Sequence, residues 1–156
     1  MTSPSDELVA LVPVVQLRDI TFRELSAKRA GESGTSDGIP DFKLNVMQNN
    51  DDPTLFRIRL RCSVSFGDGS QLVAEPEAEY QVTDGTIPVP LPQRLVVEYV
   101  NEVAVMALLP YARHAFADLS LRVFGSPLLM PIFARGTIAF PLDGLSNVVA
   151  AQSPGQ

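Results

Sequence analysis

The segment Leu-Leu-Pro-Tyr-Ala-Arg, residues Leu108 to Arg113, places a proline inside a long apolar helical pattern. Proline in a helix interior removes a backbone hydrogen bond and clashes with the preceding turn, at a cost of ~3 kcal/mol. Apolar residues nevertheless recur at helical spacing on both sides of it, from Gln93 to about Phe124. We therefore predict one long helix with a kink at Pro110, ended by Gly125.

The chain upstream of this helix alternates like β-strands. The clearest case is Leu55 to Phe66, where apolar side chains occupy every second position. Gly67-Asp68-Gly69 then supplies a tight turn, and Gln71 to Val82 alternates in the same way. These two segments are predicted to form an antiparallel hairpin.

The hairpin has a predicted charged face. Any register that joins the two apolar faces sets three arginines beside three glutamates, and such pairs contribute roughly 0.2–1 kcal/mol each. The residues are Arg57, Arg59 and Arg61, beside Glu79, Glu77 and Glu75. Pro76 cannot donate a ladder hydrogen bond, so its strand is expected to be an edge strand or to bulge there.

Two further strands complete the predicted sheet. One starts after Pro40, and the other is Val12 to Leu25, with a bulge near Arg18-Asp19 where the alternation changes parity. A proline-rich crossover, Gly85 to Pro92, leads to the helix. The expected fold class is α+β: a four-stranded antiparallel sheet with a long kinked helix packed on one face. We expect a single domain over residues 12–143, between a flexible N-terminus (1–11) and a flexible C-terminal tail (144–156).

Composition narrows the class of protein. The 156 residues are 46% hydrophobic and carry a net charge of -6, with a pI near 4.7. Nucleic-acid binding needs clustered Lys and Arg, so this balance argues against it. The first residues are polar and acidic, and the apolar runs are short, so we expect a cytoplasmic protein without membrane insertion.

The sequence gives little support for catalysis. His114 is the only histidine and lies in the middle of the helix, without a serine or cysteine near it in sequence. Cys62, the only cysteine, falls on the apolar side of its strand, as a small buried hydrophobe would. No metal-ligand or cofactor motif is present. We therefore expect a protein that is not an enzyme and that uses no cofactor or metal.

Apolar residues are more abundant than one helix on one sheet face requires. They belong either to the core entirely, or partly to an exposed surface for self-association or for extended, unfolded chains. The sequence leaves these two alternatives open.

Several segments, in this order along the chain, resemble the SecB export-chaperone family. They are Arg18–Phe22, Asp41–Val46, Arg59–Gly67, Leu108–Arg113 and Gly125–Leu128. The resemblance spans about Val14 to Phe140. It implies an ATP-independent holdase that forms homo-oligomers, dimers or tetramers, and binds non-native polypeptides in apolar grooves. The implied client-binding residues are Phe42, Leu44, Val46, Leu72, Leu108 and Leu109.

The family also docks on the SecA translocation motor through an acidic patch. The matching positions here are Asp19, Val73 and Glu75, but Arg23 stands where the family has an acid. This departure favours a divergent branch, such as the SecB-like chaperones that protect an antitoxin. The alternative is a structural or adaptor domain with a SecB-like fold and a closed groove.

Overall fold

The computed structural model describes residues 4–31, 38–130 and Ile138, which form helices on an antiparallel sheet. The strands lie in the order β1-β4-β3-β2. The elements are α1 (Asp6–Leu11), a 3₁₀ turn (Val12–Val14), β1 (Val15–Lys28), β2 (Ile39–Gln48), β3 (Leu55–Ser65), β4 (Gln71–Val82), α2 (Gln93–Tyr99), a π-helical segment (Val100–Ala104) and α3 (Val105–Phe124). This arrangement confirms the predicted α+β class.

The core lies between the sheet and the long helix. Alternation places one side of each strand toward α3, which packs chiefly on β4. The largest fully buried side chains come from both layers. They include Ile58, Leu60, Leu72, Leu108, Leu109 and Phe116.

The helix is continuous from Gln93 to Phe124 and passes through Pro110. Pro110 is exposed, so the backbone carbonyl that loses its partner there lies on the water side. The hydrogen-bond pattern of the helix changes from α to π upstream of Pro110, in the segment Val100–Ala104. Gly125 ends the helix with a φ of 84°, a conformation that glycine adopts without steric cost.

The charge pairing predicted for the hairpin is confirmed. Arg57 lies opposite Glu79 and Arg59 opposite Glu77 in the β3–β4 register, and Arg61 forms an ion pair with Glu75.

The edge-strand alternative for Pro76 is wrong, because β4 lies between β1 and β3. The missing hydrogen-bond donor is accommodated by an irregularity instead. Pro76 pairs with Phe22, directly beside a register shift between Phe22 and Glu24 in β1.

The bulge predicted near Arg18-Asp19 is also confirmed, by a register shift between Leu17 and Asp19. The strand itself begins at Val15, because Val12–Val14 form the 3₁₀ turn. The second shift, at Arg23, was not predicted.

The expectation that residues 1–11 have no packed structure is corrected for residues 6–11. They form helix α1, which buries Leu8 and Leu11 in the core. The signals for this helix in the sequence are the Ser5 cap and the three-residue spacing of Leu8 and Leu11. The predicted tail, 144–156, lies outside the described residues, as does most of 131–143.

By length and composition, the helical stretch Gln93–Phe124 could cross a membrane, with a mean hydropathy of 1.4 in its most apolar window. In the structure, 44% of that window is buried inside the protein. The buried part of this stretch packs on the sheet, and such packing also requires apolar side chains in a helix.

Candidate functional site

Strand β1 carries an exposed row of apolar side chains on the helix side of the sheet. Leu17, Phe22 and Leu25 are 45%, 36% and 48% exposed, and Ile20 between them is half-buried. We call these four residues the β1 strip. Because Leu17 pairs with Tyr80 and Leu25 with Ala74, six residues away on β4, the strip measures roughly 20 Å at about 3.3 Å per residue.

The two bulges of β1 create this strip. Leu17 and Leu25 have odd numbers and Ile20 and Phe22 even ones, so a regular strand would divide them between its two faces. The register shifts at Arg18 and Arg23 each change the parity. The four side chains therefore lie opposite buried residues of β4: Tyr80, Ala78, Pro76 and Ala74.

The strip continues the buried face of the sheet beyond the helix. Helix α3 packs mainly on β4, and β1 is the next strand outward. Among the described residues, no strand pairs with the outer edge of β1. Its outward N–H and C=O groups and the adjacent apolar row together suit an extended polypeptide.

The predicted client-binding residues lie between the sheet and the helix, and most of them are buried. Leu44, Leu72, Leu108 and Leu109 are each no more than 1% exposed, and Val46 is also buried. Phe42 is half-buried on β2, at the opposite edge of the sheet. The structure thus brings these side chains together as core, and a client groove formed by them stays a prediction.

The other face of the sheet is charged, and its arginines form ion pairs with its glutamates. Its ion pairs are Arg59–Glu77 (2.8 Å), Arg61–Glu24 (2.6 Å), Arg57–Glu79 (3.0 Å) and Arg61–Glu75 (3.6 Å). Both Glu75 and Glu77 are buried, although this face carries no helix among the described residues.

Two carboxylates of this face differ in their acidity. Burial raises the pKa of Glu75 above its ordinary value, against the pull of Arg59 and Arg61. The pKa of Glu24 is lowered, chiefly because its carboxylate accepts a hydrogen bond from Arg61 and a second from Ser26. One arginine, Arg61, therefore contacts two carboxylates with opposite preferences for ionisation.

The positions matched to SecA docking share this charged face. Asp19 is exposed, but Val73 and Glu75 are 2% and 7% exposed. Arg23, at the position where the family has an acid, lies 3.9 Å from the buried carboxylate of Glu77. SecA docking through these residues stays a prediction.

The two residues considered for catalysis, His114 and Cys62, lie in different environments. His114 is exposed on the helix, whereas Cys62 is fully buried in β3. Burial raises the pKa of the Cys62 thiol to about 12, so it remains a neutral thiol near neutral pH. Within residues 4–31 and 38–130, no three His, Cys, Asp or Glu side chains are grouped to hold a metal ion.

Sequence reasoning missed the β1 strip. The signal in the sequence is the change of parity between Leu17 and Ile20, which predicts a bulge but does not indicate which side chains are exposed. A second change, between Phe22 and Leu25, shows that the apolar side follows the bulges and keeps facing the helix.

No family model matches the chain, and no curated protein matches it in sequence. Among solved structures, it is similar to a Mycobacterium tuberculosis SecB-like chaperone in complex with a ChAD peptide from the HigA1 antitoxin. The identity is 20% and the TM-score 0.66, covering 83% of this chain and 100% of that one. A protein of unknown function from Streptococcus agalactiae gives a TM-score of 0.44 at 12% identity, covering 76% and 97%. The chain therefore has a SecB-like fold.

Proposed function

We propose that this protein is an ATP-independent chaperone that binds non-native polypeptides on apolar surface beside its helix. The observation that carries the proposal is the β1 strip, an exposed apolar row on a strand edge that no other described strand pairs with, in a SecB-like fold. Burial of apolar side chains there contributes ~25 cal/mol per Å² before the cost of ordering the client.

The client class follows from the same geometry. An extended segment paired with the outer edge of β1 points alternate side chains toward the strip. Such a client needs apolar residues at every second position and little fixed structure. Nascent export substrates and aggregation-prone partners such as an antitoxin both meet this description.

A role with a dedicated antitoxin client is supported by the M. tuberculosis chaperone, whose complex contains an antitoxin peptide. A role in export needs a transfer partner. Docking to SecA stays a prediction, against which the burial of Val73 and Glu75 weighs.

Self-association in the cytoplasm is part of the proposal. Helix α3 carries a second exposed stripe, mostly apolar, on the side away from the sheet: Pro110, Tyr111, His114 and Leu121. Leu121 is 53% exposed. A second copy that covers this stripe would remove an exposed apolar row from water.

A non-catalytic adaptor is the second candidate. The burial of Leu44, Leu72, Leu108 and Leu109 favours it, since a groove built from these residues is closed in the structure. In that case the fold would serve protein assembly without binding unfolded chains.

Binding of an environment-sensitive hydrophobic dye and of a permanently unfolded polypeptide with blocked cysteines distinguishes the two candidates. Both are measured without ATP on a folded, monodisperse sample, by dye fluorescence and by anisotropy of the labelled polypeptide. The chaperone is expected to bind both ligands, because the β1 strip is open. Binding of neither would refute the chaperone and leave the adaptor.

A further inference from the structure

Helix α1 is stable only because it packs against the rest of the protein. It has only six residues, and an isolated helix of that length is not stable in water. Its Leu8 and Leu11 nevertheless rank among the largest fully buried side chains of the chain. The helix therefore forms because these two leucines pack into the apolar core beside α2, at a site that we call the dock.

Two side chains of α2 hold α1 in place. Glu98 accepts a hydrogen bond from the backbone N–H of Ser5 at 2.6 Å and another from its hydroxyl at 2.8 Å. The Ser5 hydroxyl also caps α1 by accepting a hydrogen bond from the N–H of Leu8. Arg94 pairs with Glu7 at 3.0 Å in an exposed position. These contacts are polar and lie at the rim of the dock.

The chain is anchored separately after α1. The carbonyl of Val14 accepts hydrogen bonds from the backbone N–H and the hydroxyl of Thr83. This anchor fixes the start of β1, while the 3₁₀ turn before it has exposed Val12 and Pro13. These hydrogen bonds hold the start of β1 independently of the contacts of α1.

We propose that α1 is an intramolecular ligand, and that client segments of the same chemistry displace it. The dock would accept a short helix with two leucines three positions apart on one face, preceded by a hydroxyl residue and acidic residues. This proposal rests on the proposed chaperone function and adds a second, helical mode of client binding. An occupied dock lowers the apparent affinity for clients in proportion to the fraction of molecules in which it is open.

The test uses the full chain with the dock emptied by Leu8→Ser and Leu11→Ser. The probe is a labelled peptide with the sequence of residues 4–14, PSDELVALVPV. Fluorescence anisotropy is expected to show binding to this variant at least about tenfold tighter than to the wild type, whose dock is occupied. A peptide with serine at both leucine positions is the matched control and should bind neither protein.

A second variant keeps both leucines, in case the first fails to fold. Arg94→Ala with Glu98→Ala removes only the polar contacts at the rim. Amide exchange of residues 6–11 is expected to accelerate by about tenfold or more, and the probe peptide to bind more tightly than to the wild type. Arg122→Ala breaks an ion pair of similar length and exposure with Asp118, and should change neither measurement.

Competition with the unfolded polypeptide separates the dock from the client role. Displacement of the probe peptide by that polypeptide supports the proposal. If no variant binds the peptide, the dock is refuted. If the polypeptide binds elsewhere without displacing the peptide, its client role is refuted. If the polypeptide binds no form of the protein while the peptide does, the dock stands and the proposed chaperone function fails.

Discussion

At the scale of single residues, Arg61 contacts two carboxylates whose pKa values are shifted in opposite directions by folding. Glu24 is partly exposed and gains hydrogen bonds, which lowers its pKa. Glu75 is buried beneath the arginines, and the loss of water raises its pKa. The ionised form of Glu24 is thus favoured by folding, whereas that of Glu75 is disfavoured.

Glu75→Gln is therefore expected to raise the free energy of unfolding near pH 7. A raised carboxyl pKa means that folding favours the protonated form, which glutamine imitates. The gain should shrink as the pH falls through the raised pKa, because Glu75 then takes up its proton. Urea denaturation of both proteins over a series of pH values measures the difference.

Glu24→Gln is the matched control with the opposite sign. The stability that ionised Glu24 contributes is present at neutral pH and is lost as the pH falls through its lowered pKa. Because the pair is partly exposed, the variant should lose less than about 1 kcal/mol near pH 7. If Glu75→Gln is also destabilising there, attraction to Arg61 outweighs the cost of burial and the account of Glu75 is wrong.

The sequence predicted which arginines and glutamates of this charged face pair, but not how deeply the glutamates are buried. Period-two alternation determines which side of a strand Arg59 and Glu77 occupy, so their pairing follows from parity. Burial depends on how the long arginine side chains lie over β4, and alternation carries no information on that. The burial of Val73 and Glu75 had to be seen in the structure.

At the scale of elements, the bulges of β1 and the helix α3 divide the apolar residues between surface and core. Leu108 faces the sheet and is fully buried, whereas Leu25 of the β1 strip is half exposed. The resemblance to a family implied that Leu108 belongs to a binding groove. The structure places it in the core cluster.

Leu108→Ala is therefore expected to destabilise the protein by about 2–5 kcal/mol, because it leaves a cavity between helix and sheet. Leu25→Ala, the control on the strip, should change stability by about 0.5 kcal/mol or less. Urea denaturation measures both changes. A loss below about 1 kcal/mol for Leu108→Ala, together with lost polypeptide binding, would show that Leu108 lines an accessible groove.

Element boundaries were predictable where local chemistry sets them. Gly125 ends the helix, and Gly67-Asp68-Gly69 turns the hairpin, because these positions need glycine or turn residues. Helix α1 was missed because its stability comes from tertiary packing of Leu8 and Leu11. The sequence left open whether β4 is an edge strand or bulges at Pro76, because the pairing of β1 with β4 joins segments far apart in the chain.

At the scale of the whole molecule, apolar surface remains exposed along the β1 edge of the sheet, at Ile39 on the β2 edge, and on the outer side of the helix. The fold resembles that of SecB-like chaperones, and the β1 strip combines a row of exposed apolar side chains with a strand edge that pairs with no other strand of the described residues. The central claim is that non-native polypeptides bind there.

The most direct test is suppression of aggregation of a chemically unfolded client, at near-stoichiometric amounts of this protein and without ATP. We compare the wild type, the strip variant Phe22→Ser with Leu25→Ser, and Leu129→Ser, which changes an exposed leucine that is 73% accessible and outside the strip. The account predicts suppression by the wild type and by Leu129→Ser, and loss of most suppression in the strip variant. Equal suppression by all three proteins, or none by a folded wild type, would contradict it.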